Sequence, residues 1–190
     1  MPKIIADEQV YLAALQTIME RGYAGATTKQ IAEAANMSEV TLFRKYGSKA
    51  ELMKQAFTDM AEQMDFASAT RYTGDVYGDL LRVVEMYQGT AAQKGQYIYA
   101  IILEIQRYPE LAEAIGKPMQ MFNRIGQLLA RYQTEGILRP EHPMQALAGL
   151  LGPLIATNMI RNAVQEISFP PPDLENHVAS FLHGRYSGQN

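Results

Sequence analysis

The chain has 190 residues, 47% of them hydrophobic, with no cysteine and 17 Lys and Arg against 20 Asp and Glu for a net charge of −3. That composition suits a globular protein of one large or two small domains and excludes a disulfide framework, a thiolate nucleophile and a cysteine-ligated zinc site. The longest apolar run, Ala146 to Ala156, is broken by Gly149, Gly152 and Pro153 short of the roughly 20 residues a membrane span needs, and no basic-then-apolar leader opens the chain, so a cytoplasmic protein with no membrane segment is expected.

Apolar residues recur at i, i+3 and i+4 almost throughout, and no run alternates in the manner of a strand, which predicts an all-α fold. The first helix is expected from Asp7 to Arg21, with Tyr11, Ala14, Leu15 and Ile18 on one stripe, acidic residues at its positive end, and Gly22 to stop it. A second helix begins at Thr27, whose spacing to Gln30 is that of a capping box. Asn36 tolerates a left-handed turn, and Ser38 is placed to cap a third helix from Glu39 to Tyr46. Two helices of about two turns joined by three residues form a helix-turn-helix. A longer helix follows from Lys49 to about Phe66, then a loop from Ser68 to Gly78. Further helices are expected at Asp79 to Gln93, Gln96 to Tyr108, Glu110 to Ile115, Pro118 to Glu135, Pro143 to Val164 and Pro172 to Gly184, the last entered through the rigid Phe169-Pro170-Pro171-Pro172.

On the third helix Leu42 and Tyr46 face the first helix, whereas Val40, Phe43 and Arg44 point away. The acidic net charge does not announce nucleic acid, but between Thr27 and Lys49 the cations Lys29, Arg44, Lys45 and Lys49 outnumber Glu33 and Glu39. A short helix with an apolar anchor on one side and Thr41, Arg44 and Lys45 around the rest has the size to enter a major groove about 12 Å wide.

Gly22-Tyr23, Ala26-Thr27-Thr28, Ile31-Ala32, Met37-Ser38, Thr41-Leu42-Phe43, Ser48-Lys49 and Leu52 together resemble the amino-terminal signature of the tetracycline-repressor-like (TetR/AcrR) regulators of bacteria, over about a quarter of the chain. The resemblance implies a three-helix DNA-binding domain over residues 1–48 and a helical effector-binding and dimerisation domain over 49–190, with 49–66 as a linking helix. It implies a ligand-responsive transcriptional regulator, a repressor that binds a palindromic operator in double-stranded DNA as a homodimer and is released by a small, largely apolar effector; no cofactor, metal or catalytic residue is implied. By the same resemblance Thr28 and Lys29 lie near backbone phosphates, Glu39, Val40 and Thr41 face base edges, and Phe43, Arg44, Lys45 and Lys49 line the groove. Arg44 is suited to guanine, Glu39 to a cytosine amino group, and Val40 or the Thr41 methyl to a thymine methyl. The chain departs from the family pattern with Phe43 where tyrosine is common, Lys45 where histidine is frequent, Asn36 in place of a turn glycine and Val40 where glycine or proline often stands. These departures bear on the operator sequence.

The larger remainder carries no sharp motif. The nearly all-apolar stretch from Gln96 to Tyr108 predicts a central buried helix, and Glu104 within it, with Met86, Tyr99, Leu103, Phe122 and Asn123, is the candidate effector pocket. Leu147, Leu150, Leu151, Leu154 and Ile155 are the candidate dimer face, with monomer core as the alternative. The three histidines, His142, His177 and His183, form no metal-ligand spacing, and HExxH, P-loop and nucleophile-elbow motifs are absent, so an enzyme is not expected. Two rivals stay open: a helical ligand-binding protein that has lost DNA affinity, and a helical enzyme using Glu104 or Tyr99.

Overall fold

The structure, a computed structural model, describes residues 6–63, 65–164 and 170–186, with the side chains of all of these but residues 91–94. Among the described residues there are helices α1 (Asp7–Gly25), α2 (Thr28–Ala34), α3 (Glu39–Tyr46), α4 (Lys49–Glu62), α5 (Phe66–Ala69), α6 (Val76–Glu104), α7 (Gly116–Thr134), α8 (Pro143–Ala163) and α9 (Leu174–His183), with a 3-10 turn at Pro109–Glu113. The fold is all α; among those residues the extended pairing is an isolated bridge between Leu138 and Tyr186. Phe169 of the proline-rich entry lies outside the described residues.

Four expectations are corrected. The helices expected at 79–93 and 96–108 are one helix, α6. It contains no proline, and each glycine inside it costs only about 1 kcal/mol, too little by itself to divide a helix of 29 residues. Nor is its far end buried all round: Tyr97 and Ile101 are covered, but Ile102 is 42% and Leu103 73% exposed. The helix after Lys49 stops at Glu62 rather than Phe66, and Asp65 then caps the separate turn α5 through its side chain. Finally, α8 has 21 residues and holds an 18-residue window with a mean hydropathy of 1.2, long and apolar enough to cross a membrane by length and composition, although its longest uninterrupted run is short.

The chain divides into two compact units, Met1–Gln63 with Tyr97–Pro118, and Met64–Gln96 with Met119–Asn190. In the first, Val10, Ala14, Leu15 and Ile18 of α1 meet Ile31 and Ala32 of α2, Leu42 and Tyr46 of α3, and Leu52, Met53, Ala56 and Phe57 of α4, joined by Tyr97, Ile101, Leu111 and Ala114. The expected division after residue 48 therefore falls inside a shared core, since α4 packs mainly on α1. Gly22 sits within α1 at φ 70°, a left-handed conformation that kinks the helix where the sequence expected it to stop. A side-chain carbon there would lie 3.4 Å from Oε1 of Glu104.

The second unit buries Leu80, Val83 and Val84 of α6, Ile125, Leu129 and Tyr132 of α7, Ala146, Leu150 and Leu151 of α8, and Val178, Phe181 and Leu182 of α9. Each Val, Leu, Ile or Phe among them contributes roughly 1.5–3 kcal/mol of hydrophobic stabilisation when fully covered. One charge lies among them. Asp79 is 0% exposed, and its carboxylate accepts from the Thr73 backbone N–H (2.8 Å), the Thr73 hydroxyl (2.5 Å), the Tyr132 hydroxyl (2.5 Å) and the Arg82 guanidinium (2.6 Å). Burial alone pushes that carboxyl up, but the hydrogen bonds from Thr73, Tyr132 and Arg82 outweigh it and hold the group below its ordinary value.

Candidate nucleic-acid interface

The geometry of α2 and α3 is set by local side-chain chemistry. The Thr27 hydroxyl accepts from the Gln30 N–H (3.2 Å) and the Gln30 side chain accepts from the Thr27 N–H (3.0 Å), a reciprocal box that fixes where α2 starts. Asn36 takes φ 56° and turns the chain, and Ser38 accepts from the Thr41 N–H at 3.2 Å to start α3. Leu42 and Tyr46 are then 1% and 3% exposed, which locks the inner face of α3 onto the core and leaves the opposite face outside.

On that outer face Val40 is 77% and Phe43 62% exposed, beside exposed Arg44. Two large apolar side chains standing in solvent on an eight-residue helix, rimmed by polar residues, mark a contact surface rather than a packing defect. Thr41 is partly covered, and its hydroxyl lies 2.8 Å from that of Ser38. Lys29, exposed on α2, and Arg44 make no ion pair among the described residues.

The remaining candidates already have partners within the unit. The Thr28 hydroxyl donates to Oε1 of Glu39 at 2.5 Å. Lys45 is ion-paired with Asp7, whose carboxylate also accepts from the Tyr46 hydroxyl at 2.7 Å. Lys45, and then Tyr46, hold the Asp7 carboxyl below the usual aspartate range, while burial and the Asp7 bond push the Tyr46 phenol well up. Lys49 is turned inward: its ammonium donates to the carbonyls of Tyr23 and Ala26, the latter at 2.9 Å, and lies 4.1 Å from the centre of the Tyr23 ring. Burial lowers its pKa, with Glu110 acting in the opposite sense. Lys49 thus satisfies carbonyls freed where α1 ends, a role that its place in the sequence alone does not distinguish from contact with a phosphate.

The six pocket candidates are not brought into one unit. Tyr99, Leu103 and Glu104 belong to the first, where Leu103 is exposed and Glu104 approaches Gly22. Met86, Phe122 and Asn123 belong to the second; Met86 and Phe122 pack against its core, and Asn123 is exposed. The dimer candidates need correction as well. Leu147, Leu150, Leu151 and Leu154 are between 0% and 6% exposed within the single chain, and Ile155 packs against the same core, because α8 spends this face on α6, α7 and α9. The exposed apolar residues of α8 are instead Met144, Met159, Ile160 and Val164 just past its end.

Two polar groupings escape a reading of the sequence. Asp7 reads there only as a helix-terminal charge, and nothing in the sequence says that it reaches α3, 38 residues on. In the second unit Gln88 and Asn158 pair through both ends of their amides (3.1 and 3.3 Å), and Arg161 donates to Asn158 at 3.4 Å and to the Pro170 carbonyl at 3.0 Å, with its Nε buried and unpaired among the described residues. The spacing of Asn158 and Arg161 after Leu154 puts them on the inner side of α8, a signal legible only once that side is known.

Comparison with known proteins agrees with this arrangement. Residues 11–56 match the family described as bacterial regulatory proteins, tetR family. The chain is 29% identical over 109 residues to an uncharacterised HTH-type transcriptional regulator of Mycobacterium tuberculosis, covering 57% of this chain and 52% of that protein. It is 34% identical over 77 residues to the uncharacterised HTH-type regulator YvkB of Bacillus subtilis, covering 40% of each. The chain thus spans about half the length of the curated relatives it matches first. In fold it is similar to the fatty acid degradation regulator FadR of Bacillus halodurans, with a TM-score of 0.70 at 19% identity over 94% of this chain and 96% of the other.

Proposed function

We propose that the chain is a DNA-binding transcriptional regulator of the TetR family, whose description fits residues 11–56, and that it is a cytoplasmic repressor that binds a palindromic operator as a homodimer and is released by a small-molecule effector. The observation that carries the reading is the outer face of α3, where Val40 and Phe43 stand exposed beside Arg44 on a helix whose inner face is locked to the core. In the proposed complex α3 lies in the major groove. Arg44 reads guanine through two parallel hydrogen bonds, Val40, Phe43 and the Thr41 methyl meet thymine methyls, Glu39 meets a cytosine amino group, and Thr28 and Lys29 position the module on phosphates. Lys49 acts from behind this face, through the carbonyls closing α1, and Lys45 lies at its edge, held by Asp7.

Functionally, residues 1–48 read DNA and 49–190 sense and dimerise, even though α4 shares the core of the reading part. Two modules about 34–36 Å apart read successive turns of one groove, so the operator has two-fold symmetry. The effector site is placed in the second unit, where Met86 and Phe122 supply apolar lining and Gln88, Asn158 and Arg161 a few polar groups, a mixture suited to a small, largely apolar ligand. Similarity of fold to the regulator of fatty acid degradation supports that chemistry. Such a ligand acts only through unequal affinity for the DNA-bound and free states, with a coupling of about 1–3 kcal/mol typical.

The test is selection of binding sites from random duplex DNA with the purified chain, followed by affinity across a salt series. A palindromic consensus whose affinity falls with salt is the expected result. No enrichment at low salt would overturn the reading and leave a helical ligand-binding protein that does not engage DNA.

A further inference from the structure

Two carboxylates occupy a surface proposed to meet a polyanion, and each is hydrogen-bonded to a donor of the kind a phosphate oxygen takes. We propose that Asp7 and Glu39 are specificity-determining residues that hold the donors Lys45 and Thr28 on the free protein, lowering affinity for DNA in general and leaving the operator to be selected by base contacts; this rests on the DNA-binding reading above.

Asp7 lies in the first turn of α1, where the capping residue, Ala6, makes no side-chain cap. An acidic residue there is ordinarily a local partner for free N–H groups. Instead its Oδ1 reaches α3 and accepts from the Tyr46 hydroxyl at 2.7 Å and from the Lys45 ammonium. Tyr46 is 3% exposed, so its hydroxyl anchors Asp7 from the buried side and the contact is more than a pair of loose surface charges. Glu39, in the first turn of α3, takes the hydroxyl of Thr28, the first residue of α2, at 2.5 Å. An N–H or O–H donating to a carboxylate oxygen is the geometry with which the same donors would meet a phosphate.

The charges of the module act in the same direction. Of the four cations between Thr27 and Lys49, Lys49 is committed to the carbonyls of Tyr23 and Ala26 and Lys45 to Asp7, which leaves Lys29 and Arg44 outside any ion pair among the described residues. A DNA backbone of arbitrary sequence therefore meets two available cations on this stretch, with Asp7, Glu33 and Glu39 close by in the same module. Sequence-independent affinity comes almost wholly from phosphates neutralised by Lys and Arg, so it is held low here, whereas base contacts by Val40, Phe43 and Arg44 are untouched. Glu39 adds to the discrimination, because a cytosine amino group can take its carboxylate and a phosphate cannot.

The experiment compares the full-length wild-type chain with Asp7→Asn, Glu39→Gln and Glu33→Gln on two fluorescent probes, the selected operator duplex and a 30-base-pair duplex of random sequence. Glu33 is exposed on α2, and its substitution removes the same charge with neither contact. The amides match the acids in size at exposed positions, and the amide oxygen of the Asp7→Asn variant can still accept from Tyr46, so the melting transition is expected to stay that of the wild type. Expected are a rise of about five- to tenfold in affinity for random duplex with either Asp7→Asn or Glu39→Gln, a fall in the ratio of operator to random affinity that matches this rise for Asp7→Asn and exceeds it for Glu39→Gln, whose cytosine contact is also weakened, and a salt slope for Asp7→Asn steeper by about one per protomer as Lys45 gains a phosphate. Glu33→Gln should change affinity for random duplex less than about twofold, the size of a screened long-range effect. The proposal is overturned if the two test variants change affinity for random duplex no more than Glu33→Gln does, if they weaken it, or if affinity for both probes rises in equal proportion. A wild-type chain that binds neither duplex at low salt overturns the DNA-binding reading itself, a result distinct from a wild type that selects its operator while Asp7→Asn and Glu39→Gln behave like it.

Discussion

Helices α3 and α8 present apolar residues to opposite ends. In α3 the two inward positions, Leu42 and Tyr46, suffice to hold eight residues in place, and Val40 and Phe43 are left standing in solvent among polar neighbours. In α8 apolar residues surround most of the helix, and the leucines that look most available from the sequence are those the core of the second unit has taken. An exposed apolar residue on a short polar helix is informative about function; an apolar residue on a long apolar helix says little until its face is known.

The sharpest way to break this comparison is to attack the unit in which α8 is buried. Asp79→Ala removes the acceptor shared by Thr73, Arg82 and the buried Tyr132 hydroxyl, and should destabilise the fold by about 3–5 kcal/mol, read by thermal and denaturant unfolding. The pH dependence has a definite sign. Because the folded carboxyl of Asp79 lies below its ordinary value of 3.8, its contribution is present above that value and is lost as pH falls through the lower folded value. Acid unfolding of the wild type should therefore show a limb below about pH 4 that Asp79→Ala flattens. Operator affinity measured under fully folded conditions should stay within about twofold; a large loss there would show that Asp79 also sets the DNA-binding state and is more than a support of the fold.

Next in size is Arg44→Ala, expected to weaken operator binding by about 1–3 kcal/mol and relax preference at one base pair per half-site. Its melting temperature should not move, since the side chain is exposed and outside any ion pair among the described residues. A fall in melting temperature with unchanged binding would reverse the assignment of the two faces of α3. Gly22→Ala comes third, at roughly 1–2 kcal/mol of stability, because a left-handed φ of 70° strains any side chain and the new carbon meets Glu104 at 3.4 Å. The smallest effect is expected for Leu103→Ser, within about 0.5 kcal/mol, since that leucine is 73% exposed. A loss well above that in unfolding experiments would mean that Leu103 is covered in solution.

What can be read in advance follows the range of the interactions. The Thr27 box, the Asn36 turn, the Ser38 cap and the two faces of α3 all depend on residues within four positions of one another, and the structure has each of them where the sequence puts it. The continuity of α6 and the burial of Leu150 and Leu151 depend on distant helices, and local periodicity is the same whichever neighbour covers a face. The candidate interface divides along the same line. Exposure of Val40, Phe43 and Arg44 follows from the wheel of one short helix, but the engagement of Lys45 by Asp7 and of Lys49 by the end of α1 joins residues 38 and 26 positions apart.

Asn36 carries a consequence for how this protein can drift over generations. With φ at 56° it occupies a backbone region that glycine enters freely and asparagine tolerates, while branched side chains are strongly disfavoured. Replacement by glycine would leave the shape of the turn intact and change mainly the freedom of the unfolded chain, whereas valine or isoleucine would reset the angle at which α3 leaves α2 and move every side chain on the exposed face together. The turn is therefore a narrow mutational corridor. New DNA preferences are far more accessible through single exchanges at Val40 or Phe43, which project from a fixed frame, than through any change to the frame itself.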